Sequence, residues 1–199
     1  MNRLEESADT APTQPLTRVF PLPGTNLDRV LSEPEFRRDF HAKLKKSNPV
    51  IVALYRIGLL SLLGTTRSIM LLSTKGRKSG KNRQTPVGYF RIGGALYLFS
   101  AWGKNSNWYK ILAASPDNVA LQIGRKKFAV RAEVLVDPAE IQHTLEQFVT
   151  ESPKQAYYLF GWDPDQDRLD NADFSPIINK VLVVRFVNKQ EKNLHFAAN

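Results

Sequence analysis

The sequence predicts an α+β protein that is mainly β: a small antiparallel barrel of about six strands with flanking helices. Six segments are rich in the β-branched, aromatic and leucine side chains that strands favour. Short turns bearing Gly or Lys separate most neighbouring segments, which is typical of antiparallel hairpins. A barrel is favoured because closing a sheet removes its exposed edges. The predicted strands are 68–74, 83–91, 95–101, 118–124, 127–135 and 180–187.

Length and composition favour one domain. The chain has 199 residues, of which 42% are hydrophobic, and this is enough for a single core. Residues 1–25 carry four prolines and one glycine and are predicted to form a flexible arm, with residues 26–199 as the domain. The N-terminus lacks the basic-then-apolar order of a signal peptide, which predicts a cytoplasmic protein.

Helices are predicted before and after the strands. Ser32 and Glu35 form a capping box that predicts a helix to about residue 46. Asn48 and Pro49 predict the start of a second, apolar helix that ends at Gly64. The other predicted helices are 107–114, 138–150 and a late helix that holds Tyr157 and Tyr158.

The apolar segment 49–63 raises the question of a membrane. Arg56 interrupts it, and it is shorter than the roughly 20 residues that cross a bilayer, so it is not expected to span. One expectation is that it packs across the mouth of the barrel. Because Lys43, Lys45 and Lys46 lie nearby, peripheral contact with anionic lipid is the alternative. The sequence leaves the oligomeric state open.

Charge is concentrated in the middle of the chain. Between residues 40 and 116 there are thirteen Lys and Arg and no Asp or Glu, whereas each flank has two more acidic than basic residues. A basic stretch of this kind attracts an anion: nucleic acid, a lipid headgroup or a phosphorylated small molecule. A solvated basic surface is the simpler interpretation.

Several catalytic classes have no residues to support them. The chain has no cysteine, which excludes disulfides and thiolate chemistry. His41, His143 and His195 are interpreted as surface side chains, so no nucleophilic triad is predicted. A cofactor that carries the reaction itself fits a chain of this kind.

The acidic run 163–170 resembles the start of a calcium-binding loop. Arg168, however, stands where such a loop needs glycine, and Phe174 stands where it needs a bidentate glutamate. A solvated loop is therefore expected, and no metal site is predicted.

A glycine-bearing turn lies inside the basic stretch. Three residues separate Gly76 from Gly80, and Lys81 is followed by Asn82, so the turn is not the P-loop of nucleotide triphosphatases. It also joins strand to strand, so no helix N-terminus points at an anion. The turn is either a solvated tip or an anion grip made by Lys75, Arg77, Lys78, Lys81 and Arg83.

Three stretches in order carry a family resemblance: LLSTKGRKSGKNRQTPVGYFR at 71–91, YLFSAWGKNSNWYKILAASP at 97–116 and VALQIGRKKFAVRAEVL at 119–135. They resemble the deazaflavin-dependent nitroreductase family, over about residues 48–187. The resemblance implies a split β-barrel like that of flavin-binding oxidoreductases. It also implies the deazaflavin coenzyme F420, with FMN as the alternative cofactor. The polyanionic tail of that coenzyme is then the anion for the turn.

Site residues follow from the resemblance position by position. It implies that the cations of the turn meet phosphate or tail carboxylates, that two residues line the edge of the ring, and that Ser100 with the backbone after it faces the phosphate or ring. Two aromatic residues would close the pocket. The implied cofactor-binding residues are Arg77, Lys78, Ser79, Arg83, Thr85, Pro86, Ser100, Ala101, Trp102, Trp108 and Tyr109.

The expected reaction is hydride transfer from the reduced coenzyme to a small-molecule acceptor: a quinone, enone or nitro compound. Tyr109 and Tyr158 are the candidate proton donors. A non-catalytic module that binds a cofactor, haem or lipid is a second hypothesis. A nucleic-acid or membrane-surface binder is the third, and a steep dependence of affinity on salt would distinguish phosphate-backbone binding.

Overall fold

Nine strands and seven α-helices follow one another in the computed structural model, which describes residues 17–62, 68–76, 79–103 and 107–189. The strands are β1 (Arg18–Val19), β2 (Ile69–Lys75), β3 (Asn82–Gly88), β4 (Phe90–Ile92), β5 (Ala95–Ser100), β6 (Val119–Ile123), β7 (Lys126–Val134), β8 (Ala172–Asp173) and β9 (Leu182–Asn188). The helices are α1 (Asn26–Ser32), α2 (Pro34–Arg56), α3 (Leu59–Leu62), α4 (Asn107–Ala114), α5 (Pro138–Glu151), α6 (Pro153–Phe160) and α7 (Ser175–Lys180).

Seven strands form one antiparallel sheet in the order β3-β2-β6-β7-β9-β5-β4. The predicted strand 83–91 is in fact two strands, because the chain leaves the ladder at Tyr89, whose N–H donates to the Ser68 carbonyl at 3.0 Å. One residue thus separates β3 and β4, which are the two edges of the sheet. The sheet must therefore curl until its edges meet, and the prediction of a small antiparallel barrel with flanking helices is confirmed, with seven strands instead of six.

Both faces of the curled sheet are covered. Alternate residues along β5 and β9 point to opposite faces, so Leu98 and Val184 lie in the barrel interior while Tyr97 and Val183 lie in a second cluster outside it. Helices α5, α6 and α7 cover that outer cluster. A third, small cluster joins Tyr55 and Leu60 to the opposite side of the sheet.

The described part of the predicted arm packs against the domain. Strand β1 pairs with β8, and the side chain of Phe20 is fully buried among aromatic rings, with the ring centroids of Phe160, Trp162 and Phe174 between 5.4 and 5.9 Å away. Burial of so large a side chain holds residues 17–25 in place. Residues 1–16 lie outside the described residues.

One long helix replaces two predicted ones. Helix α2 runs through Pro49, so the boundary predicted at Asn48 and Pro49 is wrong. Proline removes one hydrogen bond of the helix, but Pro49 is exposed and water can satisfy the freed carbonyl. Ser32 does not open this helix either, since its hydroxyl donates to the Asp28 carbonyl at 2.8 Å and so closes α1. Gly64, the predicted end of the apolar helix, lies outside the described residues.

No helix in the described part of the chain is both long enough and apolar enough to cross a bilayer.

The acidic run 163–170 forms a loop that its own side chains organise. The buried carboxylate of Asp167 accepts from Arg18 Nη1 at 2.6 Å and from the Asp163 N–H at 2.7 Å. Asp167 therefore has a structural role in this loop.

Candidate functional site

A large cavity among the described residues lies where the barrel is split. Strand β4 pairs only with the first three residues of β5, so Leu98–Ser100 extend beyond it and face the other edge of the sheet, β3, with no strand between them. A cavity of about 1030 Å³ occupies this gap, and helix α2 covers it. The volume is at the upper end of the roughly 300–1,000 Å³ that ligand sites occupy.

The barrel side of the cavity contains most of the predicted ring-binding residues. Arg83, Thr85 and Pro86 line it from β3, and Ser100 lines it from the end of β5. Pro86 can occupy this strand because β3 is an edge, where a missing N–H costs no ladder bond on the open side.

Two tryptophans complete the barrel side. Trp108, in the first turn of α4, and Trp102, in the loop after β5, both line the cavity. The buried Ser100 hydroxyl accepts from the Trp102 N–H at 3.3 Å and so fixes the start of this loop. The loop therefore presents an aromatic surface at a position set by the strand end.

Helix α2 provides the other side of the cavity through its residues 34–48, whereas the sequence predicted that residues 49–63 would pack across the mouth of the barrel. Arg37, His41, Lys45 and Asn48 recur every three or four residues, so they lie on one face of the helix, and all of them line the cavity. The signal was present as a helical periodicity of polar residues. It was missed because the helix was expected to end before Asn48.

The charged lining of the cavity is entirely basic among the described residues: Arg37, Arg38, Lys45 and Arg83, with no Asp or Glu. Arg37 is already engaged, since Nε donates to the Val30 carbonyl at 2.6 Å and Nη2 donates to the Leu31 carbonyl at 2.8 Å. Within the described ranges, neither Lys45 nor Arg83 forms an ion pair.

His41 lies beside the aromatic part of this cavity. The ring centroid of His41 is 5.3 Å from that of Trp102. The ring of Phe40, the preceding residue, stacks on Trp102 with a centroid distance of 6.2 Å. His41 is an exposed side chain, as predicted, and it also lines the cavity.

Other predicted residues lie elsewhere. Ala101 lines a neighbouring apolar cavity, and Ser79 is exposed in the turn. Tyr109 is half-buried and packs against the barrel interior. Tyr158 is 74% exposed and borders a surface pocket on another part of the molecule, although Leu159, next to it, does line the large cavity. Arg77 and Lys78 lie outside the described residues.

The end of α2 is fixed to the sheet by Tyr55, which is 2% exposed. Its hydroxyl lies 3.2 Å from the Ile69 carbonyl and 3.0 Å from the Gln122 carbonyl, and it accepts from the Gly124 N–H at 2.9 Å. Burial raises the pKa of this hydroxyl above its usual value of 10.0, so it is a neutral donor at physiological pH.

These features together fit a planar, anionic ligand. Pro86, Trp108 and Leu98 offer apolar surfaces, and the hydroxyls of Thr85 and Ser100 lie among the lining side chains. The cations Arg37, Arg38 and Lys45 lie on the opposite side, and Arg83 lies on β3. An aromatic ring system with attached phosphate or carboxylate groups has this distribution of chemistry.

Comparisons with known proteins point to relatives that use a ligand of this kind. The family model described as F420H(2)-dependent quinone reductase matches residues 58–163. The F420H(2)-dependent quinone reductase of Mycobacterium tuberculosis is 34% identical over 92 residues, which are 44% of this chain and 60% of that protein. The chain thus matches about 60% of the length of this curated relative.

Similar solved structures have lower sequence identity to this chain. An F420-H2 dependent reductase, FDR-A, is 27% identical and aligns over 60% of this chain and 94% of that one, with a TM-score of 0.40. A FAD-binding protein from Mesorhizobium loti is 18% identical over 62% of this chain and 82% of that one, with a TM-score of 0.41. Because the family model matches more than half of its residues, this chain belongs to the F420H(2)-dependent quinone reductase family.

Proposed function

We propose that this protein is an oxidoreductase that uses reduced coenzyme F420 to reduce a quinone, with enones and nitro compounds as further acceptors. Family membership supports the cofactor and the acceptor class. The single observation that carries the proposal is the cavity at the split of the barrel, where a largely apolar wall of β3, β5 and α4 faces a helix that presents Arg37, Arg38 and Lys45. FMN is the alternative cofactor, since it also combines a planar ring with a phosphate.

The residues assigned to the coenzyme divide by chemistry. Pro86 and Trp108 contact the ring, and the hydroxyls of Thr85 and Ser100 hydrogen-bond its polar edge. Lys45 and Arg83 bind its anionic groups, because neither cation forms an ion pair within the described ranges. Trp108→Ala should therefore weaken coenzyme binding.

The bound coenzyme supplies a hydride, and reduction of a quinone to a hydroquinone monoanion needs nothing further, whereas the neutral product needs one proton. The basic lining of the cavity lowers the free energy of the negative charge that develops on the acceptor oxygen. His41 is assigned as the proton donor, since its imidazole lines the cavity and imidazole groups serve as general acids. The positions of Tyr109 and Tyr158 give less support to either tyrosine.

The turn that joins β2 to β3 is proposed to bind the coenzyme tail. Its frame is closed by the Gly76 N–H, which donates to the Lys81 carbonyl at 2.9 Å, and by the Gly80 N–H, which donates to the Gly76 carbonyl at 2.8 Å. Strand β3 leads from this turn directly to Arg83 and the cavity. Removing both Arg77 and Lys78 side chains should raise the coenzyme dissociation constant, and an unchanged constant would remove the turn from the site.

Peripheral contact with anionic lipid is proposed for another face of α2. Val50 is 58% exposed and lies seven residues after the exposed Lys43, so the two share one side of α2. Ile57, which is 74% exposed, caps the end of this helix. An apolar and basic stripe of this kind binds anionic membrane surfaces. Flotation with anionic and neutral liposomes tests it, and Ile57→Glu should abolish any flotation; recovery in neither liposome fraction would contradict the contact.

The reaction itself is tested by single-turnover oxidation of reduced coenzyme F420, deuterated at C5, with quinones, enones and nitroaromatics. The proposal predicts transfer of the label to an acceptor. Binding of the coenzyme without transfer to any acceptor would favour the non-catalytic binding module, and absence of binding would contradict the proposal.

A further inference from the structure

A second cavity opens beside the first, and its lining is almost entirely apolar. It has a volume of about 200 Å³ and lies between α1, α2, α6 and α7 and the end of β5. We call it the apolar chamber. Its lining residues are Asn26, Leu27, Val30, Phe36, Phe40, Phe99, Ser100, Ala101, Trp102, Leu145, Leu159, Phe160, Ile177 and Val181.

The two polar side chains of the apolar chamber are already hydrogen-bonded. Asn26 Nδ2 donates to the Tyr158 carbonyl at 3.4 Å, and the Ser100 hydroxyl accepts from the Trp102 N–H at 3.3 Å. Nearly all of the remaining lining side chains are apolar, and such a surface favours apolar groups over water. Asn26 and Phe40 are exposed, so the chamber is open to solvent at this part of its lining and an apolar group can enter it.

The apolar chamber shares a wall with the cavity at the split of the barrel, which we call the basic cavity because its charged lining residues are Arg37, Arg38, Lys45 and Arg83. Phe40, Phe99, Trp102 and Leu159 line both, and Ser100 lies at the same boundary. The rings of Phe36, Phe40 and Trp102 stack along this wall, with centroids 5.9 and 6.2 Å apart. A ligand in the basic cavity therefore has an apolar space directly beyond these rings.

Half of the residues that line the apolar chamber lie outside the part of the chain that matches the family. Leu27, Val30 and Phe36 precede residue 58, and Ile177 and Val181 follow residue 163. The flanking helices thus complete a chamber whose other half belongs to the family segment, which makes it a candidate for selectivity between acceptors.

We propose that the apolar chamber binds the apolar substituent of the electron acceptor, so that the preferred acceptor is a quinone with a short alkyl or prenyl chain. An apolar cavity of about 150 Å³ binds benzene, so a chamber of about 200 Å³ holds about six to eight carbon atoms. This inference rests on the proposed reductase function, because the reacting ring would occupy the basic cavity.

The test begins with a probe that cannot be reduced. Propylbenzene should raise the midpoint of thermal unfolding of the wild-type protein, because it binds the folded state only. Val30→Phe and, independently, Ile177→Phe place extra carbon atoms in the apolar chamber and should abolish this rise. Val136→Phe is the control: it makes the same Val-to-Phe change at a position that is 79% exposed, so propylbenzene should still raise the unfolding midpoint of this variant.

Turnover then links the apolar chamber to the acceptor. With reduced coenzyme F420 and 2-alkyl-1,4-benzoquinones, kcat/KM should rise about fourfold for each added carbon that is buried and level off at about six to eight carbons. Val30→Phe should move the plateau to shorter chains, and Val136→Phe should leave it in place.

The outcomes separate the two claims. No stabilisation of the wild type by propylbenzene, or a chain-length plateau that is the same in Val30→Phe, would overturn the assignment of the apolar chamber while reductase activity stands. Normal propylbenzene binding without turnover of any quinone would overturn the proposed function, and with it the assignment of the occupant as an acceptor.

Discussion

The two walls of the basic cavity are held in place in different ways. The barrel wall consists of β3 and β5, and each of its residues is fixed by a neighbouring strand: Thr85 is opposite Leu72, and Ser100 is opposite Leu182. The helix wall is one long helix whose exposed middle carries Arg38 and Lys45. The barrel wall thus suits the rigid ring of a ligand, and the helix wall suits its charges.

The helix wall depends on contacts at its ends. Arg37 binds the last carbonyls of α1, and Tyr55 reaches the backbone of β2 and β6. Between these ends, the rings of Phe40 and His41 both contact Trp102 in the loop after β5. The comparison implies that damage to an end of α2 should affect the cavity more than an equal change on its surface.

The largest effect is expected for Tyr55→Ala. Removing a fully buried aromatic side chain should lower the free energy of unfolding by about 3–5 kcal/mol. Because Tyr55 fixes α2 over the cavity, the dissociation constant of coenzyme F420 should rise as well. Urea unfolding and fluorescence titration measure the two quantities.

Tyr157→Ala is the matched control for this change. Tyr157 is 53% exposed, so its loss should change the free energy of unfolding by no more than about 0.5 kcal/mol. Equal losses of stability in both variants would show that Tyr55 does not anchor the helix wall.

A smaller effect, on chemistry alone, is expected for His41→Gln. If His41 donates the proton, turnover with a quinone should fall by about 100-fold, while coenzyme binding changes much less. His143→Gln is the control, since His143 is exposed on α5, away from the lining of the cavity. Single-turnover rates that match the wild type in His41→Gln would assign the proton to water or to another residue.

The smallest effect is an alkaline loss of stability. Burial raises the pKa of both Tyr55 and Tyr89 above 10.0 in the folded protein. The unfolded chain then releases these protons more readily, so the stabilisation is complete below pH 10 and is lost as the pH rises through the folded-state values. Urea unfolding between pH 8 and 11 should show this decline, and Tyr55→Phe should reduce its slope. The same slope in Tyr55→Phe would place the effect elsewhere.

Local patterns predicted the barrel wall well. The helix 107–114 and the strand segments depend on neighbouring residues, and the structure has α4 at Asn107–Ala114 and strands within two residues of most predicted bounds. The break at Tyr89 escaped prediction, because nothing in the run 83–91 shows that its two halves pair with different partners. Strand pairing is a property of the whole sheet and not of the segment.

The helix wall was less predictable for a physical reason. Asn48 and Pro49 are a local signal for a helix boundary, and anchoring at Arg37 and Tyr55 overrides it. Arg83, Thr85, Pro86, Ser100, Trp102 and Trp108 were predicted together from the resemblance, and all of them line the cavity. Arg38, His41 and Lys45 were missed, since their position over the barrel depends on contacts distant in sequence.

The central claim is that the basic cavity binds coenzyme F420. It is tested most directly by comparing two variants that carry the same charge reversal, one inside the cavity and one outside it. Lys45→Glu reverses a charge in the cavity, and Lys127→Glu reverses one in a polar groove lined by β2, β3 and β6. Both lysines are exposed, and both changes lower the net charge equally, so a general field effect is the same in each. Equilibrium titration should give a dissociation constant raised about tenfold or more in Lys45→Glu and nearly unchanged in Lys127→Glu. Equal dissociation constants in the two variants would contradict the assignment of the cavity.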